Sequence, residues 1–187
     1  LSAYGAQVQA AATGHYDEDA ALPAYHHAEL EGLEPSTRYY FVVESDGVAL
    51  EERWFETAPV DDRRVKLLYG GDSRSDWEDR RRMNQRMAAL LEQDPEIVAL
   101  WHGGDFVDEG DDWDDWTAWL DDHLLTTTSQ GRVLPVIPTR GNHERSGRMY
   151  NEVFGTPGPD EVRNYFVTQL GEHASLLTLD SQASVRG

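Results

Sequence analysis

The sequence contains no cysteine, and this absence narrows the chemistry open to the protein. Without cysteine there is no disulfide framework, no thiolate zinc site and no cysteine nucleophile, so any transition metal must be held by oxygen and imidazole ligands. Basic residues are also scarce, 16 against 35 acidic residues, which gives a net charge of -19. Because such a charge repels nucleic acids and anionic lipids and no basic stripe reverses it, no nucleic-acid-binding surface is evident.

Long apolar runs are missing as well. No segment approaches the roughly 18 to 20 apolar residues that span a bilayer, and no basic region followed by an apolar one opens the chain. The chain starts at Leu1 rather than Met, which leaves a removed leader open. With 39% hydrophobic residues the composition is that of a globular protein, and 187 residues suit one large domain or two small ones. The oligomeric state cannot be read from these features.

Residues 1–58 have the pattern of an all-β region. Alternating aromatic and β-branched residues between turn signals predict strands, at residues 6–12, 25–30, 37–44 and 48–56. Residues 32–39 resemble the Leu-x-Pro-x-Thr-x-Tyr run of fibronectin type III domains, in which a tyrosine ties a strand to the preceding turn. Such a sandwich needs about seven strands, so the resemblance implies only part of one. Residues 59–64 are expected to be a linker, because proline and a charge cluster end the strand pattern.

From residue 65 strands and helices alternate, which predicts an α/β fold with sheets flanked by helices. Strands are expected at residues 65–69, 97–101 and 133–137, and a hairpin at 164–168 and 176–179. Ser75 and Glu78 have the spacing of a capping box that opens the first helix. Its predicted apolar face consists of Met83, Met87, Leu90 and Leu91.

Three predicted strands end in the same way, with a glycine followed by a residue that carries a side-chain oxygen. The pairs are Gly71-Asp72, Gly104-Asp105 and Gly141-Asn142. Glycine lets the backbone turn sharply, and ligands bind at the carboxyl ends of strands in α/β sheets. If they converge, these side chains offer hard oxygen ligands to a cation. Each residue is also typical of helix caps and turns.

Longer blocks around these pairs resemble the first three sequence blocks of the calcineurin-like metallophosphoesterases, in the same order and at similar spacing. The blocks are Gly71-Asp72-Ser73-Arg74, Gly104-Asp105-Phe106-Val107-Asp108 and Gly141-Asn142-His143-Glu144. Together with the fibronectin-like region, they resemble the branch that contains the purple acid phosphatases. The resemblance implies that residues 65–187 are the N-terminal part of a metallophosphoesterase domain.

The resemblance also implies a site with two metal ions, of iron, zinc or manganese. Asp72 would bind the first ion, Asp105 would bridge both, and Asn142 would bind the second. The implied activity is hydrolysis of a phosphate mono- or diester by a hydroxide that the metals activate. His143 would contact the substrate and protonate the leaving group, and Glu144 would orient its ring. By the same resemblance the protein is expected to be secreted, periplasmic or on the cell surface.

Two positions depart from the family pattern. Arg74 stands where many members have a metal-binding histidine, and Asp108 stands where purple acid phosphatases have a tyrosinate ligand. Arg74 would instead contact the substrate phosphate, since a guanidinium matches phosphate oxygens. Asp108 is either a residue that supports the site or a plain turn carboxylate. The later histidine blocks of the family are absent from the sequence, so the 187 residues alone are expected to be inactive.

These departures leave a second function open, a binding or adhesion module that keeps the phosphoesterase fold without turnover. A sugar-binding surface protein is a third, supported only by tryptophans. Trp113, Trp116 and Trp119 have core spacing first and the spacing of a substrate shelf second. His102 is expected to be packed rather than ligating. The acidic segment 105–122 is expected to be a solvated helix face rather than a cation-binding loop.

Overall fold

The computed structural model describes residues 4–10, 12–16, 19–155, 164–172 and 174–182. Its N-terminal part forms three antiparallel two-stranded ribbons. They pair β1 (Ala12–His15) with β2 (Ala24–His27), β3 (Arg38–Phe41) with β6 (Arg53–Glu56), and β4 (Glu44–Ser45) with β5 (Val48–Ala49). Within the described residues, no helix has the length and apolar character needed to cross a membrane.

These ribbons correct the predicted strand boundaries. The predicted strand at residues 6–12 is wrong, because residues 6–10 form no strand and residue 11 lies outside the described residues. The predicted strands 37–44 and 48–56 are each interrupted, because the short hairpin of β4 and β5 separates β3 from β6. The Tyr39 hydroxyl does accept a hydrogen bond of 2.7 Å from the Glu34 N–H, as a tyrosine tie would. The fibronectin-like sandwich and the linker at 59–64 stay predictions.

The second part of the chain has the predicted alternation of strands and helices. Its parallel sheet has the order β7 (Lys66–Gly70), β8 (Ile97–His102) and β9 (Val136–Pro138). The helices are α1 (Trp77–Gln93), α2 (Trp113–His123), followed by a 3-10 turn (Leu124–Thr126), and α3 (Arg148–Phe154). The strands β10 (Phe166–Gln169) and β11 (Ser175–Thr178) form the predicted hairpin. The α/β fold class is therefore confirmed.

Strand β9 begins later than predicted because the residues before it bond to the N-terminal ribbons. The N–H of Val133 donates to the carbonyl of Trp54, and the N–H of Trp54 donates to the carbonyl of Gly131. Tyr16 adds a second contact, with its ring 4.1 Å from that of Trp113. The β-ribbons thus pack directly on the α/β part.

Helix α1 corrects two expectations. Its N-cap is Asp76, whose carboxylate accepts from the N–H of Asp79 at 3.3 Å, so the predicted capping box at Ser75 is wrong. Met83, predicted on the apolar face, is 60% exposed. The buried face carries the predicted Leu91 together with Arg80 and Asn84, which are buried because both bond to Asp122 on α2.

The buried apolar side chains form two clusters. The larger one contains Phe106, Val107, Trp116, Trp119, Met149 and Tyr150, and the smaller one Leu91, Ile97, Leu100 and Leu134. The tryptophans of α2 are therefore core residues, as their spacing predicts first. The acidic segment is only in part a solvated face, because Asp122 is buried and Asp112 caps α2.

Candidate metal centre

The loops that follow the three parallel strands meet at one edge of the sheet. Hydrogen bonds of 2.8 and 2.9 Å join the first two loops, from the N–H of Asp72 to the carbonyl of Gly104 and from the N–H of Ser73 to that of Asp105. A cleft of about 450 Å³ opens beside them, and its walls include Asp72, Asp105 and Asn142. The structure thus brings together the three residues that the sequence suggests as metal ligands.

The glycines at these strand ends are required by close backbone contact. A Cβ on Gly141 would lie 2.1 Å from the Asp105 Oδ1 atom, and one on Gly104 would lie 2.6 Å from the Gly141 nitrogen. Asp72 and Asp105 both have positive φ angles, 54° and 56°. Non-glycine residues seldom adopt this conformation, and aspartate tolerates it better than most. Both residues therefore have strained backbone conformations, which the surrounding contacts maintain.

Glu144 lies fully buried beneath these loops and holds two of them together. Its carboxylate accepts hydrogen bonds from the N–H groups of Asp105 (3.0 Å), Phe106 (2.7 Å) and Gly141 (2.6 Å). Burial raises the pKa of Glu144, although the three donors act in the opposite direction. The expectation that Glu144 orients the His143 ring is wrong, because its oxygens face these backbone donors. Its place in the site is that of a clamp between the β8 and β9 loops.

His143 is held by Asp108 instead. Its Nδ1 atom lies 2.7 Å from the carbonyl oxygen of Asp108 and 3.4 Å from the Oδ1 atom. A carbonyl only accepts, so Nδ1 carries the hydrogen and Nε2 is left for chemistry. The backbone N–H of His143 donates to the Asp105 carboxylate at 3.0 Å, although His143 is not among the described residues that line the cleft.

Arg74 occupies a position between acidic side chains rather than an open one. Its Nε atom is 2.8 Å from the Asp72 Oδ1 atom and 4.0 Å from an oxygen of Asp105, and its Nη1 atom is 2.9 Å from Asp108. The hydrogen bond to Asp108 raises the pKa of Arg74 above the ordinary arginine value. In this arrangement the guanidinium neutralises carboxylates of the site. A role in binding phosphate stays a prediction.

His102 is packed, as expected, and neutral. Burial lowers its pKa to about 3, and its ring stacks on Phe106 at 3.7 Å. Its Nδ1 atom accepts from the N–H of Gly104, so Nε2 donates to the Ser73 hydroxyl at 2.9 Å. The same hydroxyl accepts from the indole of Trp119. This chain of hydrogen bonds holds the loop that carries Asp72. Its one visible signal in the sequence is the position of His102 at a strand end.

Reasoning from the sequence did not identify a second group of residues that line the cleft. Arg140 and the loop after β11, including Ser181, line it. The Arg140 guanidinium pairs with the buried Asp180 at 3.3 Å and donates to the Arg145 carbonyl at 2.5 Å. The available signal was that Asp180 follows a strand end, as Asp72 and Asp105 do.

The three predicted ligands have side chains of the right chemistry for metal ions, but they supply only part of the ligands that a metal centre needs. Carboxylate and amide oxygens suit hard cations, and Asp72, Asp105 and Asn142 border one cleft. Across the described ranges, however, no three His, Cys, Asp or Glu side chains are grouped closely enough to hold a metal. Arg74, which cannot ligate a metal, takes up one carboxylate oxygen of the set. The fit is therefore that of a partial donor set.

A family profile decides what kind of protein this geometry belongs to. Residues 75–182, more than half of the chain, match the profile of the calcineurin-like phosphoesterases. The chain belongs to the calcineurin-like phosphoesterase family. The match includes Asp105, Asn142 and His143 and begins three residues after Asp72. The sequence resemblance to this family is therefore confirmed.

The fold of this calcineurin-like phosphoesterase is also found among solved structures. A purple acid phosphatase isolated from yellow lupin (Lupinus luteus) seeds matches with a TM-score of 0.55 at 16% sequence identity. The match covers 77% of this chain and 30% of the lupin chain, so the present chain spans less than a third of that protein. At this identity the similarity shows the fold alone. Among curated proteins, none is significantly similar in sequence.

Proposed function

We propose that this protein hydrolyses phosphate mono- or diesters at a centre of two metal ions held by Asp72, Asp105 and Asn142. The supporting observation is the convergence of these oxygen donors, each in the loop after a parallel strand, on one cleft in a chain of a phosphoesterase family. When bound, such a pair of cations polarises the phosphoryl group and activates the attacking water. Iron, zinc and manganese all accept oxygen and imidazole donors, so the donors favour none of them.

In this proposal His143 supplies the proton that the leaving group needs. The bond from Nδ1 to the Asp108 carbonyl fixes the ring, so that Nε2 is the atom that carries the transferred proton. Asp108 is the supporting residue, since it contacts both His143 and Arg74. A location outside the cytoplasm is proposed on the resemblance to purple acid phosphatases alone.

The partial donor set limits the turnover expected of these 187 residues. Two carboxylates and two side-chain amides, those of Asn142 and Gln182, line the cleft, and the described residues that line it include no imidazole. Metal ions bound through so few ligands are held weakly and oriented poorly. We therefore expect metal-dependent binding of phosphate by the chain, with slow ester hydrolysis or none.

A binding module without turnover is the second candidate, and Arg74 is the observation that favours it. Its guanidinium sits against Asp72 and Asp108 at the position where many family members carry a metal-binding histidine. A site with a fixed positive charge retains phosphate without requiring two metals. The two candidates differ in whether bound ester is cleaved.

The test combines binding and hydrolysis in one preparation. Binding of inorganic phosphate is measured by calorimetry with and without Mn²⁺ or Zn²⁺, and p-nitrophenol release is followed from p-nitrophenyl phosphate and its bis ester. Asp105→Ala should lose the metal-dependent part of both signals, whereas the matched control Asp121→Ala, an exposed position on α2, should keep them. Metal-dependent release, however slow, favours the enzyme, whereas phosphate binding that needs no metal and is lost in Arg74→Ala favours the binding module. If metal changes neither signal, the proposed function is wrong.

A further inference from the structure

Arg74 forms a bridge between the first two loops of the site. Its guanidinium bonds to Asp72, in the loop after β7, and to Asp108, in the loop after β8. Its nearest approach to Asp105 is 4.0 Å, which is beyond hydrogen-bond distance. The Asp72 carboxylate is therefore already paired with a cation. The Asp105 carboxylate instead accepts a hydrogen bond from a backbone N–H group.

We propose that Arg74 is a built-in counter-ion that competes with metal ions for the Asp72 carboxylate, so that the Asp72 half of the centre binds its metal more weakly than the Asp105 and Asn142 half. The inference rests on the proposed metal centre and assigns a role to a residue that departs from the family pattern. It predicts two metal affinities rather than one.

The competition follows from geometry and charge. A metal ion that takes the Asp72 Oδ1 atom must displace the Arg74 Nε donor, which lies 2.8 Å away. Arginine cannot yield by losing its proton, because its guanidinium stays charged in proteins. It can only move aside, and while it stays nearby its positive charge repels the incoming cation.

Exposure makes this displacement possible without opening the fold. The side chains of Asp72 and Asp108 are 67% and 59% exposed, and that of Arg74 is 30% exposed. A cation therefore reaches Asp72 from solvent, and Arg74 has room to swing outward. Asp105, by contrast, is 20% exposed and its backbone is held by the buried Glu144. The firmer position and the longer distance to the Arg74 guanidinium, 4.0 Å against 2.8 Å for Asp72, make the Asp105 half the tighter site.

The test is a titration of the 187-residue chain with Mn²⁺ alone, followed by calorimetry and by electron paramagnetic resonance of free Mn²⁺. Arg74→Gln keeps most of the length and a hydrogen-bond donor but removes the charge, and Arg74→Ala removes both. Arg82→Ala is the matched control, because it deletes an equally charged, exposed residue that pairs with Glu78 and Asp79 on α1, away from the site.

Both Arg74 variants should bind the weaker Mn²⁺ equivalent about 10- to 100-fold more tightly, the equivalent of one hydrogen bond to a charged group. Arg82→Ala should change it less than about threefold, since distant surface charges are screened. Thermal unfolding of each variant confirms that it is folded. Binding that is unchanged or weaker in the Arg74 variants overturns this inference alone, whereas no Mn²⁺ binding by any variant overturns the proposed metal centre together with it.

Discussion

Glu144 offers the sharpest test of how this site is assembled. Its side chain is fully buried, and its two carboxylate oxygens accept three backbone N–H groups that belong to the loops after β8 and β9. Replacing it with alanine leaves Asp105, Phe106 and Gly141 with unpaired N–H groups in a place that water does not reach. Replacing it with glutamine turns one acceptor oxygen into an NH₂ group that faces a donor.

The size of the effect follows from the number of donors. Each buried donor left without a partner costs about 1–3 kcal/mol, and hydrogen bonds to a charged group are at the upper end. Three such donors that share one acceptor are not additive, so we expect Glu144→Ala to lose about 3–6 kcal/mol of unfolding free energy. Glu144→Gln keeps one oxygen and should lose about 2–4 kcal/mol. Either loss is large against the roughly 5–15 kcal/mol of a typical domain.

Urea unfolding followed by circular dichroism at neutral pH measures these losses. Glu92→Gln is the matched control, because Glu92 accepts one N–H, that of Ser129, on the exposed surface. Its loss should be much smaller than that of Glu144→Gln. If the two glutamine variants are equally stable, Glu144 does not hold the loops together and its role as a clamp is refuted.

Three further predictions follow from other contacts. Asp122→Ala should destabilise the fold by about 3–5 kcal/mol in urea unfolding, because it leaves the buried Arg80 without its partner, whereas the exposed neighbour Asp121→Ala should not. Burial lowers the pKa of His102 from its ordinary 6.5 to about 3. Between these two pH values the unfolded chain therefore binds more protons than the folded chain. The contribution of His102 to stability should therefore fall by about 2–3 kcal/mol from pH 7 to 4.5, and this part of the loss should be absent in His102→Gln, whereas the part due to the buried His123, whose pKa is lowered to about 4, should remain. His143→Ala should keep bound metal but lower metal-dependent ester cleavage by about 10²- to 10⁴-fold, and by less for a p-nitrophenyl leaving group than for an alkyl one; an equal loss for both would contradict its role as proton donor.

The convergence of Asp72, Asp105 and Asn142 could be predicted because its causes are local. A glycine and an oxygen-bearing residue after a strand are visible in the sequence, and parallel strands bring their carboxyl ends to the same edge. In the structure all three residues line one cleft, as these two local features predict.

The partners of Glu144 and Arg74 could not be predicted, because they depend on contacts far apart in the chain. Glu144 follows His143 in sequence, yet adjacent side chains in a turn point in different directions, and two of its donors are 38 and 39 residues away. Backbone N–H groups carry no signature in a sequence at all. The Arg74 partner Asp108 is 34 residues distant. For the same reason the pattern of apolar residues in α1 could not show that Arg80 is buried. Its burial depends on its distant partner, Asp122.

These contacts divide the candidate centre into two halves that differ in how they are held. The Asp105 and Asn142 half rests on loops joined by a buried carboxylate, to which the exposed Arg145–Glu109 pair is a further link. The Asp72 half is joined to its neighbour by two backbone hydrogen bonds and by the exposed bridge through Arg74. Buried hydrogen bonds are little affected by ions in solution, whereas exposed ion pairs are screened by them. The position of Asp72 should therefore respond to salt and to metal more readily than that of Asp105, because the groups that hold it are the groups that a cation displaces.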